Sequence, residues 1–261
     1  MSIFVINSDD FKKFEKANRI TADTLSLLEK YVKPGVTTLE LDKIAEDYIL
    51  SQNAKPAFKG FQEGAGTPFP ATICASIDEI VVHGIPDNRK LVEGEIISID
   101  MGVEYEGFFG DSAITCMVGK VSEEKEKLVR VTREALEKGI ENAVEGGKLY
   151  DISRAVQTYC EGYGFNVVRD LIGHGIGDKL HDDPPVPNYV PLLLHRANLP
   201  NWKLVRGLAL AIEPMVMTGN KEVETLKDGW GVRTKDKSPA AHWEHTILID
   251  DNKPIIMTLR N

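Results

Sequence analysis

Basic excess, long apolar runs and paired cysteines are all missing from this chain. Its 261 residues carry a formal net charge of -9, with 31 Lys and Arg against 40 Asp and Glu. The basic residues form no cluster, which excludes a general binder of nucleic acid or of an anionic membrane, since either needs a basic face. No run approaches the ~18 apolar residues of a membrane span, and the opening MSIFVINSDDFKKFEK holds no apolar core of signal-peptide length. A cytoplasmic protein is the expectation. Three cysteines, Cys74, Cys116 and Cys160, are odd in number and widely spaced. They indicate neither a disulfide framework nor a structural zinc site, and each is expected to be a buried apolar thiol. The glycine-rich GHGIG lacks the GxGxxG spacing after a strand, and no GxxxxGK[ST] occurs, so nucleotide binding is weakly supported. The 42% hydrophobic content suffices for one large domain or two intimately packed halves.

What is present is a pair of acids, Asp100 and Asp111, in IISIDMGVEYEGFFGDSAIT. If Glu106-Gly107 form a two-residue hairpin turn, Asp111 faces Gly102 and Asp100 faces Ala113. Alternation along a strand puts all four positions on one face. The carboxylates are then diagonal neighbours, about 7–8 Å apart at the backbone and able to lean toward one point. Like charges that close on an apolar hairpin are costly without a cation between them, although a lone pair of this kind is more often a solvated face.

The chain also repeats itself. KANRITADTLSLLEKYVKPGVTTLELDKIAEDYI aligns with EKLVRVTREALEKGIENAVEGGKLYDISRAVQTYC at an offset of 111 residues, bringing Arg19 onto Arg130, Gly35 onto Gly146 and Tyr48 onto Tyr159. Both segments read as two helices broken at a glycine. KLVEGEIISIDMGV matches KLVRGLALAIEPMV at an offset of 113, which lands Asp100 on Glu213. The spacing predicts one domain, 1–261, of two pseudo-twofold-related helix-helix-strand halves, about 9–119 and 124–256, each supplying one acid from the same structural position. The second half carries an extra stretch at 187–202, PNYVPLLLHRANLPNW, expected to be an irregular surface loop or lid.

The second half adds Glu213 after LALAI and Glu244 in AAHWEHTILI, both inside runs that read as core strands. Four carboxylates on central strands would be prohibitive to bury without metal, and two divalent cations would offset them. Histidines complete the set: His83 in VVHGIPD, and His174 and His181 in GHGIGDKLHDDPP. Singly, each is more often structural than functional. Both His83 and His174 precede Gly-Ile and then a matched strand, so the repeat is expected to carry the histidine.

Embedded in HGIPD, SIDMGV, GDSAIT, GHGIG, AIEPM and EHTI, the ordered set His83, Asp100, Asp111, His174, His181, Glu213 and Glu244 resembles the type I methionine aminopeptidases over nearly the whole chain. The resemblance implies an α+β pita-bread fold, a curved antiparallel sheet backed by two pairs of helices. It implies two divalent metal ions per chain, Co, Mn, Fe(II) or Zn, with Asp111 and Glu244 bridging, Asp100 holding one, and His174 with Glu213 completing the other. The implied activity is removal of the N-terminal methionine from nascent proteins and peptides by metal-activated water, with a small second residue preferred. His181 is then expected near the carbonyl oxygen, His83 near the scissile nitrogen, and Glu213 shuttling the proton. An apolar pocket for the thioether would draw on Cys74, Phe61, Phe69 and Trp230.

Several positions depart from the family pattern. Phe58 stands where a cysteine is common, Phe61 and Phe69 where tyrosines are, and Leu180 where a phenylalanine is, while the loop FKGFQEGAGTPFP is long. His242, two residues before Glu244 where Gln is more familiar, is expected to stand behind the bridged metals and add pH dependence. Two alternatives share the fold by resemblance. Xaa-Pro aminopeptidases and dipeptidases generally carry a large extra domain for which 261 residues leave no room. A metal-free peptide-binding protein would be expected to lose ligands, and all five stand here. The expected partners are the N-terminal methionine of nascent chains and, as a candidate, the ribosome surface, with no nucleic-acid specificity, no membrane and a monomeric chain.

Overall fold

The acids are set in place by two hairpins packed on two helix pairs. The structure is a computed structural model that describes residues 1–62, 66–195, 197–251 and 253–260. The centre of the FKGFQEGAGTPFP loop and position 196 of the 187–202 stretch lie outside the described residues. The helices are α1 (Asp9–Glu29), α2 (Thr38–Ser51), α3 (Glu123–Glu141) and α4 (Leu149–Gly162). The first-half strands are β1 (Lys55–Pro56), β2 (Cys74–Ile77), β3 (Ile80–Val82), β4 (Ile96–Tyr105) and β5 (Phe108–Met117). Beyond α4 come β6 (Asn166–Val167), β7 (Gly173–Gly175), β8 (Asp182–Val186), β9 (Ala209–Ile212), β10 (Met215–Met217), β11 (Val223–Thr225), β12 (Val232–Thr234), β13 (Ala240–His242), β14 (His245–Leu248) and β15 (Ile255–Ile256). The strand pairings are antiparallel throughout the described residues.

The helices start where the sequence places acceptors. Ser8 caps α1 by accepting from the Phe11 amide at 3.1 Å, with Asp9 and Asp10 in the first turn. Thr37 and Glu40 form a capping box on α2, each accepting from the other's backbone amide. α2 and α4 are both 14 residues long and lie 111 positions apart, the offset of the sequence match. Ile20, Leu25 and Leu28 of α1 and Leu41, Ala45 and Ile49 of α2 bury against Ile97, Ile99 and Met101 of β4. Contact between α1 and β5 is close enough that a Cβ on Gly110 would lie 2.7 Å from the Asn18 backbone.

The β4–β5 hairpin turns on Glu106 (φ 49) and Gly107 (φ 83), both left-handed as a type I′ turn requires. Asp100 accordingly opposes Ala113, and Gly102 opposes Asp111. The second hairpin runs in one register through β9–β14, with Ile212 opposite His245, into β10–β13, with Met215 opposite His242. Its ladder breaks at Glu213-Pro214 and Trp243-Glu244, because Pro214 has no N–H to give. Glu213 and Glu244 thus stand at the break, not inside strands as the apolar runs predicted.

Hydroxyl groups join the hairpins. The Glu244 amide donates to the Ala113 carbonyl at 3.0 Å. Ser112 Oγ donates to the Glu244 carbonyl at 2.6 Å, and Thr115 Oγ1 to the His242 carbonyl at 2.7 Å. Trp243, on the opposite sheet face from Glu244, packs against the apolar clusters of both helix pairs.

Candidate active site

Asp100 from β4, Asp111 from β5, Glu213 and Glu244 from the break in the second hairpin, and His174 from β7 converge on one cavity of about 440 Å³. His174 reaches it because β7 pairs with β9, setting His174 opposite Ala211, two residues before Glu213. Three overlapping groups have ligand atoms within 4.8 Å of one another: Asp100, Asp111 and Glu244; His174, Glu213 and Glu244; and Asp111, His174 and His181. His174 Nδ1 lies 3.0 Å from the Gly175 carbonyl. A carbonyl only accepts, so Nδ1 carries the proton and the Nε2 lone pair faces the acids. Nε2 is 3.6 Å from Glu213 Oε1 and 3.9 Å from Asp111 Oδ2.

The electrostatics of this cluster call for cations. Asp111 and Glu244 are 3% and 2% exposed, and Asp100 Oδ1, Asp111 Oδ1 and Glu244 Oε1 are buried without a hydrogen-bond partner. Burial pushes the Asp100 carboxyl up to about 7 and that of Glu213 up to about 8. Asp111 and Glu244 are raised well above the usual carboxylate range, by burial first and by the neighbouring acids second. Burial also brings His174 down to about 3, helped by His181. Uncharged imidazole and carboxylates with unshared lone pairs aimed at common points are the donor set of a hard or borderline divalent ion. The residues present fit such ions.

His181 stands at the mouth, its ring 4.5 Å from that of His174 and 5.1 Å from that of Phe61. His83 follows β3 in the left-handed region (φ 59) and edges onto Trp230 at 6.3 Å. Burial, with His242 and His181 adding to it, brings His83 down to about 4. A Cβ on the next residue, Gly84, would lie 2.3 Å from the Ala75 carbonyl oxygen, so only glycine lets this chain press against β2. The structural counterpart of His174 is therefore not His83. β2 pairs with β4 as β7 pairs with β9, and at the 113-residue offset Ser76, opposite Ser98, takes the place of His174, opposite Ala211. The shared His-Gly-Ile is a likeness of sequence and not of register.

The apolar wall includes the four expected residues. Cys74 opposes Asp100 across β2 and β4, and burial holds its thiol protonated. Phe69 packs edge-on against Trp230 at 5.2 Å, and Trp230 Nε1 donates to the Thr67 carbonyl at 3.0 Å. Phe58 and Leu180 close over Gly102, where a Cβ would meet them at 2.9 and 3.3 Å. Leu171, Ile172 and Met215 also line the cavity and escaped the sequence reading. Met215 carried a usable signal, standing two residues after Glu213 on the same strand face.

No described residue of 187–202 lines the cavity. The stretch packs on the start of α4, whose Lys148 cap offers no side-chain acceptor. The Leu149 amide donates instead to the Trp202 carbonyl at 3.0 Å and the Tyr150 amide to Asn201 Oδ1 at 2.8 Å. Its end caps α4, while Asn188 near its start donates to the Glu213 carbonyl at 3.0 Å. His242 is 1% exposed beneath the acids, its Nε2 3.6 Å from Glu213 Oε2.

Comparison with known proteins gives a consistent answer. The model of metallopeptidase family M24 matches residues 12–251. A methionine aminopeptidase of Clostridium acetobutylicum is 48% identical over 260 residues, covering 98% of this chain and 99% of that one. The crystal structure of methionine aminopeptidase from Rickettsia prowazekii superposes with a TM-score of 0.90 at 38% identity, covering 98% of this chain and all of that one. A prolidase from Pyrococcus furiosus shares the fold at a TM-score of 0.76 and 20% identity, this chain spanning 66% of it.

Proposed function

The chain belongs to metallopeptidase family M24 and is a metallo-aminopeptidase that removes N-terminal methionine, and from that premise we propose how its own residues divide the work. Asp100, Asp111, His174, Glu213 and Glu244 hold two divalent ions, Mn, Fe(II), Co or Zn. The observation that carries this reading is the convergence of the five side chains, with three buried carboxylate oxygens left without partners. When bound, such ions supply Lewis acidity and a water acidic enough to ionise near neutral pH.

Glu213, which reaches the same point as His174 and Glu244, takes up and returns the proton. His181, at the mouth and beside His174, hydrogen-bonds the carbonyl oxygen of the scissile bond. His83, on the other side beside Trp230, faces the scissile nitrogen. Cys74, Phe61, Phe69 and Trp230 receive the methionine side chain, a polarizable thioether against a thiol and aromatic edges.

We read residues 1–261 as one catalytic domain with halves 9–119 and 124–256, acting as a monomer on nascent chains in the cytoplasm, with the ribosome surface as a partner. No helix among the described residues is long and apolar enough to cross a membrane. The test is cleavage of Met-Ala-Ser and Ala-Pro-Ser peptides by the metal-loaded protein, with metal content measured in parallel. Release of methionine alone supports the reading; release of alanine from the proline peptide, or no metal uptake, rejects it.

A further inference from the structure

We propose that Asn188 is the positioning residue of Glu213: its side-chain amide holds the Glu213 backbone where the strand ladder stops, and so sets where that carboxylate meets the metal ions and the scissile bond. The inference rests on the role given to Glu213 above, and it names a residue outside the cavity on which that role depends.

The two halves hold equivalent acids differently. Asp100 lies within β4, with Cys74 of β2 opposite it on one side and Ala113 of β5 on the other. Glu213, its counterpart at the 113-residue offset, follows the last residue of β9. β7 pairs with β9 as β2 pairs with β4, His174 facing Ala211 and Gly175 facing Leu210. Two residues further that register would put Ile172 opposite Glu213, but β7 begins at Gly173 and Ile172 lines the cavity instead. Glu213 has lost the neighbouring strand that Asp100 keeps.

Asn188 takes the place of that strand. Its Nδ2 donates to the Glu213 carbonyl at 3.0 Å, and the next carbonyl, that of Pro214, accepts from the Trp243 amide at 3.3 Å. A backbone carbonyl shielded from water needs a donor, so the two bonds fix the orientation of the unit that carries the Glu213 side chain. Gly173 closes on the stem of that side chain, since a Cβ there would meet Glu213 Cγ at 3.3 Å.

Asn188 is itself held on both sides. Ser153 Oγ of α4 donates to the Pro187 carbonyl at 2.6 Å, and the Val190 amide donates to Gln157 Oε1 of α4 at 2.8 Å. The Tyr189 hydroxyl donates to the Arg169 carbonyl at 3.0 Å. Residues 187–190 thus form a crosspiece from α4 to the segment that runs into Asp170, Leu171 and Ile172 of the cavity wall. Asn188 is 1% exposed and its Oδ1 has no partner, which leaves the bond to Glu213 as its side-chain hydrogen bond among the described residues. A buried amide anchored at both flanks and spending its donor on one backbone carbonyl is placed to orient the residue that owns that carbonyl.

The test compares three variants of the metal-loaded full chain in steady-state hydrolysis of Met-Ala-Ser, with Tm and metal content measured on each. Asn188→Ala removes the donor, Asn188→Asp keeps the shape but offers only acceptors, and Asn188→His returns a donor, its Nδ1 standing as many bonds from Cα as Asn188 Nδ2 does. The first two are expected to lose about 10–100-fold in kcat with KM within about twofold of native, and the His variant to keep kcat within about threefold of native. Native kcat in Asn188→Asp, a loss confined to KM, or a His variant as slow as the others at native Tm overturns the proposal and leaves Asn188 as a packing residue. Should the Ala and Asp variants fail to fold, the His variant still decides: kcat near native supports the proposal, and a loss at native Tm overturns it. Native protein that takes up no metal, or cleaves the peptide without it, overturns the reading of Glu213 itself, an outcome distinct from a silent Asn188.

Discussion

One hydroxyl holds the Asp111 peptide unit from both sides. Thr246 Oγ1 donates to the Asp111 carbonyl at 2.7 Å and accepts from the Asp111 amide at 3.3 Å. Asp111 belongs to the first hairpin and Thr246 to the second, so the contact fixes where a carboxylate of one half meets those of the other. Thr246→Val keeps the shape and removes both bonds. It is expected to cost about 1–3 kcal/mol of stability and to weaken metal affinity by roughly 10–100-fold, read by thermal melting and calorimetric titration. Unchanged affinity would show that the hydroxyl is only a structural tie.

Asp111→Ala and Glu244→Ala are expected to lose bound metal and peptide hydrolysis together, because each contributes to more than one of the clustered ligand groups. His83→Ala should keep its metal and slow turnover by about 10²–10⁴-fold. Metal analysis beside steady-state kinetics separates the two classes. Full activity in the Asp111 variant would defeat the two-metal reading.

Metal-free protein should lose stability as pH rises through neutrality. The folded carboxyls of Asp100 (about 7) and Glu213 (about 8) hold protons that the unfolded chain sheds near pH ~4. Their contribution is complete below the unfolded values and is lost as pH climbs through the folded ones. His83 (about 4) and His174 (about 3) act oppositely, since the unfolded chain protonates them below pH ~6.5, so their effect ends there. Between pH ~6.5 and ~8.5 the acids act alone, and the Tm of chelator-treated protein is expected to fall while Mn(II) restores it. A flat Tm without metal would contradict the buried-acid account.

Trp230 borders both Phe69 and His83, its Nε1 donating to the Thr67 carbonyl and its amide to Asp228 Oδ1. Trp230→Ala should raise KM for methionyl peptides by about tenfold or more, through loss of roughly 1.5–3 kcal/mol of apolar contact, with kcat less affected. A change confined to kcat would place Trp230 with the reacting groups instead.

The hairpin carrying Asp100 and Asp111 was legible because a Glu-Gly turn admits one favourable geometry, and that geometry dictates every opposed pair down to Ile96 and Met117. The helix pairs were legible because the repeat preserves the glycine break and the apolar spacing, although not the cap, Lys148 standing where Thr37 would recur. What stayed hidden depends on contacts distant in sequence. The likeness of HGIPD to HGIGD pointed to a wrong correspondence, since strand register and not local wording decides which residues are equivalent. The role of 187–202 was hidden because capping by Trp202 and Asn201 reaches α4 from some 50 residues away. Asp170 through Ile172 line the cavity only because β7 turns back onto β9.

The most direct test of the central claim is anomalous diffraction from crystals of the Mn(II)-loaded protein. Two peaks are expected, one among Asp100, Asp111 and Glu244 and one among His174, Glu213 and Glu244. No peak at these carboxylates, or peaks only elsewhere on the molecule, would contradict the account.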